Sequence, residues 1–111
     1  MRIDAKTIYI ASSTYLPKVE WEKQNGNEWI YVGVDQDFDE GKITQSVYAT
    51  FDTDDVYVVT DRHNSHRASL ADAIKSVKEG LEKEGYLLWN LSFDRVVEFG
   101  RIGVLRKGKR G

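Results

Sequence analysis

The 111-residue sequence has no cysteine, one proline, one methionine and two histidines. The lack of cysteine excludes disulfide bonds, zinc–thiolate sites, iron–sulfur clusters and thiol catalysis. No apolar run approaches the roughly 18 residues that a membrane span needs, and residues 1–13 lack the layout of a signal peptide. From these features we expect a cytoplasmic protein with no membrane contact and no cofactor.

Opposite charges are concentrated in different parts of the chain. Although the net charge is only −2, residues 35–55 hold seven acids and one lysine, whereas residues 95–111 hold six bases and one glutamate. With 41% hydrophobic residues the composition is that of a folded chain, and the length fits one domain. We expect a single domain over residues 1–105 and a basic, mobile tail over residues 106–111, which lack apolar anchors.

Three turn signals divide the segment between residues 19 and 59. They are Asn25-Gly26, Glu40-Gly41 and Thr53-Asp54, and they predict an antiparallel β-meander of about four strands. The register that they imply places ten apolar residues on one face, and a one-residue slip in any hairpin would break this agreement. The face comprises Val19, Trp21, Ile30, Val32, Val34, Val47, Ala49, Phe51, Val56 and Val58.

The second half of the chain predicts one helix and two strands. Ser69 and Asp72 resemble a capping box, and an apolar stripe follows them, so we expect a helix from Ser69 to Glu84 in which Gly80 marks close packing on the sheet. Residues 87–93 and 96–105 are expected to form strands, as is the short segment 7–11. The predicted fold is α+β: an antiparallel β-meander with one helix packed on a face, followed by a C-terminal β-hairpin.

The opposite face of the predicted meander carries aromatic side chains. Its members are Trp29, Tyr31, Tyr48 and Tyr57. One helix covers only one face of a four-stranded sheet, so this face must be covered by the terminal strands, covered by a second subunit, or left as a binding surface. Tyr and Trp dominate the hot spots of protein interfaces, which makes these residues candidates for partner binding.

Both histidines lie with two arginines just before the predicted helix. They are Arg62, His63, His66 and Arg67. A helix N-terminus attracts anions, and these side chains would add positive charge to it. The alternative is a solvated loop whose cations pair with Asp54, Asp55 or Asp61. We expect no metal site, because two histidines alone do not hold an ion.

The functional expectation is a small, non-enzymatic interaction module. No residue is assigned to catalysis, since Asp61, His63 and Ser65 are too close in sequence to form a triad on a rigid scaffold. We expect a protein-binding regulator or inhibitor, of the kind carried by mobile elements and phages, that uses the aromatic face and the acidic turns to bind a protein partner or to form a dimer. The alternative is binding of nucleic acid or a small phosphate ligand by the Arg/His segment and the basic tail.

Overall fold

A computed structural model describes residues 4–23 and 26–110, which form three α-helices and one seven-stranded sheet. The helices are α1 (Ala5–Tyr15), α2 (Glu40–Thr50) and α3 (Leu70–Gly80). The strands are β1 (Val19–Trp21), β2 (Ile30–Tyr31), β3 (Asp55–Val59), β4 (His66–Ser69), β5 (Tyr86–Trp89), β6 (Arg95–Gly100) and β7 (Val104–Arg110). Their order is β1-β7-β6-β5-β3-β4, every pair is antiparallel, and β2 also pairs with β7.

Helices lie on both faces of the sheet. Because side chains alternate along a strand, Val56 and Val58 of β3 belong to the larger core with α2 and α3, whereas Tyr57 and Val59 belong to a smaller core with α1. On the α1 side, the buried Trp89 donates a hydrogen bond from Nε1 to Ser12 Oγ at 2.8 Å. None of the helices in the described residues has the length and apolar character that a bilayer crossing requires.

The α+β class and the antiparallel sheet are confirmed, but the predicted meander over residues 19–59 is wrong. Residues 40–50 form a helix because Asp39 caps it, accepting a hydrogen bond from Lys42 N at 3.0 Å, and because Ile43 and Val47 bury one helical face completely. Residues 7–11 are likewise helical, in α1, where Asp4 caps the first turn and Ile8 is buried. The described part of the chain therefore contains three α-helices where one helix was predicted.

The predicted strand register also fails. Trp21 pairs with Gly108 and Ile30 pairs with Leu105, so β1 and β2 both lie on β7 instead of on each other. Asn25, the first residue of the predicted hairpin turn, lies outside the described residues. The consecutive strands β5, β6 and β7 are the part of the sheet that has meander topology.

The predicted helix after residue 69 is confirmed with an earlier end. Ser69 Oγ accepts a hydrogen bond from Asp72 N at 3.1 Å, and α3 ends at Gly80 rather than Glu84. Gly80 packs closely on the sheet as predicted, since a Cβ built there would lie 2.0 Å from the Tyr86 hydroxyl oxygen.

The C-terminal residues were expected to form a tail, but residues 106–110 belong to β7, and Gly111 lies outside the described residues. This segment is held because its backbone pairs with β6 on one side and with β1 on the other. Two of its cationic side chains also pack on aromatic rings, Arg106 on Trp21 and Arg110 on Tyr15.

Candidate functional site

The four predicted aromatic residues do not share one face. Trp29 and Tyr31 are 39% and 60% exposed on the α1 side of the sheet, whereas Tyr48 is 50% exposed on α2, which covers the other side. Tyr57 is only 6% exposed and stacks on Phe93 in the core beneath α1. The predicted face is lost because residues 40–50 are helical and α1 covers β3.

Trp29 and Tyr31 belong to a part of the sheet that α1 leaves open. The buried core under α1 is built mainly on β3 and β5 and reaches β6 only at Val96, and Val19 and Trp21 of β1 pack against it. Beyond it, the exposed aromatic side chains lie over the far ends of β6 and β7 and over β2. We call this region the Trp29 surface; it consists of Trp21, Glu28, Trp29, Tyr31, Glu98 and Arg106.

Arg106 is the centre of the Trp29 surface. Its guanidinium carbon lies 3.8 Å from the ring centroid of Trp21 and 4.5 Å from that of Trp29. Its Nη1 donates to Glu28 Oε1 at 2.8 Å, and its Nε donates to Glu98 Oε1 at 2.7 Å. Stacking on aromatic rings and forked hydrogen bonding to carboxylates are both properties of arginine that lysine does not share.

These contacts attach the segment between β1 and β2 to the sheet. Glu28 and Trp29 both precede β2, and both are held by Arg106, whose side chain is only 21% exposed. Gly103, which precedes β7, stabilises the residues that follow β2. Its carbonyl accepts hydrogen bonds from Val32 N and Gly33 N at 2.7 and 2.9 Å. A Cβ at Gly103 would lie 2.7 Å from the Gly33 carbonyl carbon, and its φ of +90° also favours glycine. These intrachain contacts therefore hold the Trp29 surface in a fixed arrangement.

The Arg/His residues occupy the β3–β4 hairpin rather than the start of the helix. Asp61 organises the turn by accepting hydrogen bonds from the backbone N–H groups of His63 and Asn64, both at 2.8 Å, and from the Asn64 side chain. These bonds, with the Asn64 side chain as the largest cause, hold the pKa of Asp61 below its ordinary value. Arg62 and His63 lie in this turn, and the four residues of β4, about 13 Å of extended chain, separate them from α3.

The groups that would bind an anion at α3 already have partners within the chain. Arg67 pairs with Asp55 at 2.8 Å, which is one of the alternatives expected from the sequence. At the helix start, Leu70 N donates to Asp54 O at 2.7 Å, and Asp72 N donates to Ser69 Oγ. His66 Nδ1 lies 2.9 Å from Asn64 O. The structure thus does not bring the four residues together at the N-terminus of α3.

Sequence reasoning missed Trp21, Glu28, Glu98 and Arg106 as site residues. Arg106 was assigned to a tail and Trp21 to a core face, and their contact joins strands from opposite ends of the chain. No local spacing signals such a contact. Across residues 4–23 and 26–110, no group of three or more His, Asp or Glu side chains is placed to hold a metal ion.

Comparison with known proteins gave no match to a family model, to a curated protein or to a solved structure. The function is therefore inferred from the chemistry and exposure of the side chains described above.

Proposed function

We propose that this protein acts in the cytoplasm by binding a protein partner through the Trp29 surface, either a second copy of itself or another protein that it regulates or inhibits. The observation that carries the proposal is the stack of Trp21, Arg106 and Trp29, which is fixed by Glu28 and Glu98. The exposed ring of Tyr31 lies on the same face, because Tyr31 pairs with Val104, two residues before Arg106. Tryptophan, tyrosine and arginine are the residue types enriched at interface hot spots. Rings held in place before binding lose little conformational entropy when a partner docks.

The charge of the surface favours a protein over a nucleic acid. The positive charge of Arg106 is already paired with two carboxylates, at 2.7 and 2.8 Å. The three groups therefore carry a net negative charge, which repels a phosphate backbone. The surface supports the aromatic part of the sequence prediction more than its acidic turns, because Asp39 caps α2 while Glu40 and Asp55 form ion pairs.

A second copy of the chain is one partner that the surface fits. Two copies related by a two-fold axis would bury the exposed rings of Trp29 and Tyr31 against each other. Another protein that offers an apolar side chain would fit the same rings.

Tyr31→Ala is the most direct variant, because the Tyr31 ring is mainly exposed and its truncation leaves the Arg106 stack in place. Tyr48→Ala is the matched control, since this ring has similar exposure on the other side of the sheet. Sedimentation velocity over a range of protein concentrations should show a dimer that Tyr31→Ala weakens about tenfold or more. The dimer should persist in Tyr48→Ala.

A photocrosslinking experiment covers a partner other than a second copy. Benzoylphenylalanine is incorporated in place of Tyr31, and the crosslink is formed inside the cell that produces the protein. It should join the chain to one discrete protein, and the same group in place of Tyr48 should not. If wild type is monomeric and position 31 gives no discrete crosslink, the proposal is overturned. Equal crosslinking from both positions would overturn it as well, because the partner would not distinguish the two sides of the sheet.

The alternative expected from the sequence was phosphate or nucleic-acid binding through the Arg/His segment. It receives less support, because Arg67 is paired with Asp55 and the N-terminus of α3 is capped by the chain itself.

A further inference from the structure

Strand β7 uses its basic residues differently on its two faces. Arg106 and Arg110 lie on the α1 side, where they stack on aromatic rings and hydrogen-bond to neighbouring groups. Because side chains alternate along a strand, Lys107 and Lys109 project from the opposite face. There they line a cleft of about 500 Å³ between β1, β7 and the C-terminal end of α2.

The strand register brings a third cation to this cleft. Lys109 lies directly opposite Arg95 of β6 on one side and opposite Glu20 of β1 on the other. Directly opposed residues have Cβ atoms about 5 Å apart, and Lys107 lies two residues along the same strand face, about 7 Å away. Three cationic side chains are therefore near neighbours on one wall.

These three cations lack the ion pairs that other cations of the chain form. The ion pairs of the described residues involve Arg67, Lys78 and Arg106, and no described carboxylate oxygen lies within 4.0 Å of a side-chain nitrogen of Arg95, Lys107 or Lys109. Arg95 makes one long hydrogen bond, from Nη1 to Thr50 O at 3.5 Å. That bond offsets the partial negative charge at the end of α2 and uses one of the five donors of the guanidinium.

The β1 wall of the cleft has the opposite charge. Glu20 and Glu22 line it, next to Lys109 and Lys107 respectively, and Glu22 N donates a hydrogen bond to Lys107 O at 2.8 Å. These carboxylates would repel a second anionic group, which disfavours long polyanions. They would accept hydrogen bonds from hydroxyl groups, as carboxylates do when they bind ribose.

We infer that this cleft binds a small phosphate monoester that carries hydroxyl groups, the chemistry of a sugar phosphate. Lys107, Lys109 and Arg95 hold the phosphate, and Glu20 and Glu22 accept hydrogen bonds from the hydroxyls. The inference is independent of the Trp29 surface, which lies on the other face of the sheet.

NMR titration of the ¹⁵N-labelled full chain tests the site, with ribose 5-phosphate, inorganic phosphate and ribose as probes. Ribose 5-phosphate should bind saturably, and more tightly than either of its parts, with the largest shifts at residues 20–22, 95 and 107–109. Lys107→Gln/Lys109→Gln should weaken its affinity about tenfold or more, because two charge contacts with the phosphate are lost. Lys75→Gln/Lys83→Gln changes the net charge equally and should leave the affinity unchanged.

Glu20→Gln/Glu22→Gln tests the hydroxyl contacts separately. Removing both negative charges should strengthen binding of inorganic phosphate while reducing the preference for ribose 5-phosphate over it. Equal affinities for these two probes in wild type, an equal loss in the Lys75/Lys83 control, or no saturable binding would overturn the inference. Tighter binding of an oligonucleotide through the same two lysines, with a steep dependence on salt, would assign the cleft to nucleic acid and also overturn it.

Discussion

The contact between Gly80 and Tyr86 allows a sharp test of how α3 packs on the sheet. Gly80 is the last residue of α3, and a Cβ built there would lie 2.0 Å from the Tyr86 hydroxyl oxygen and 3.0 Å from the ring carbon that bears it. Tyr86 is 8% exposed and belongs to the larger core, so its ring cannot move aside without disturbing neighbours. Burial, with smaller contributions from Glu84 and Glu79, raises the pKa of its hydroxyl.

Two opposing effects set the expected result of Gly80→Ala. Alanine favours helix over glycine by about 1 kcal/mol, whereas overpacking a core costs about 1–3 kcal/mol. The clash involves a buried ring, so we expect the overpacking cost to lie in the upper part of that range, at about 2–3 kcal/mol, and the free energy of unfolding to fall by a net of about 1–2 kcal/mol. For a chain of about this size, each kcal/mol of lost stability lowers the melting temperature by about 4–8 °C.

The same substitution in Tyr86→Phe should behave differently. Without the hydroxyl oxygen the nearest described atom is the ring carbon at 3.0 Å, a contact that a small shift relieves. Gly80→Ala should then be neutral or stabilising, which gives a coupling free energy of about 1–3 kcal/mol between the two sites. Urea unfolding of the four proteins in the double-mutant cycle measures it. Equal effects of Gly80→Ala in both backgrounds would refute the packing argument.

Ser12→Ala should lower the free energy of unfolding by about 1–3 kcal/mol in urea unfolding, since the buried Trp89 N–H loses its acceptor; no measurable change would contradict this. Arg106→Lys should cost about 1–2 kcal/mol and increase iodide quenching of tryptophan fluorescence, whereas unchanged quenching would show that the stack does not hold the rings. Because the pKa of Asp61 is lowered in the folded state, its stabilisation is present above the unfolded-state pKa and is lost as pH falls through the folded-state value. Asn64→Ala should raise that pKa in a carboxyl NMR titration, and an unchanged pKa would mean that Asn64 is not its main cause.

The sequence predicted α3 well because its signals are local. Ser69 caps its start, the apolar stripe faces the sheet, and Gly80 packs against the sheet as expected. The strands that follow were also recognisable, since Leu88 and Trp89 lie in a short apolar segment that is buried from both faces of the sheet. In this region helix propensity, capping and hydrophobic pattern all indicate the same structure.

The segment 40–50 was mispredicted because two periodicities coincide there. Ile43, Val47 and Phe51 are spaced by four residues, which satisfies both an alternating strand and one face of a helix. The Glu40-Gly41 pair resembled a hairpin turn, whereas in the structure Asp39 is the N-cap of α2. For such a pattern the packing of the remaining chain, rather than the pattern itself, decides between helix and strand.

The candidate site could be predicted only in part. Trp29 and Tyr31 are exposed, as a binding role requires, but Tyr57 lies under α1, a segment whose alternating Ile and Tyr residues resembled a strand. Arg106 could not be identified, because its partners on β1 and before β2 are brought to it only by the pairing of β7. Local sequence patterns carry no information about such distant contacts.

The position of β7 has a consequence for how the molecule is made. Both β1 and β2, near the beginning of the chain, have β7 as their pairing strand, so neither can enter the sheet until residues 104–110 have been synthesised. Contacts between such distant segments close large loops and form slowly. On the ribosome, β1 and β2 therefore remain unpaired during this time, with Trp21 and Trp29 in solvent. A chain that ends before residue 104 would contain every aromatic ring of the Trp29 surface but would lack the strand and the arginine that assemble it.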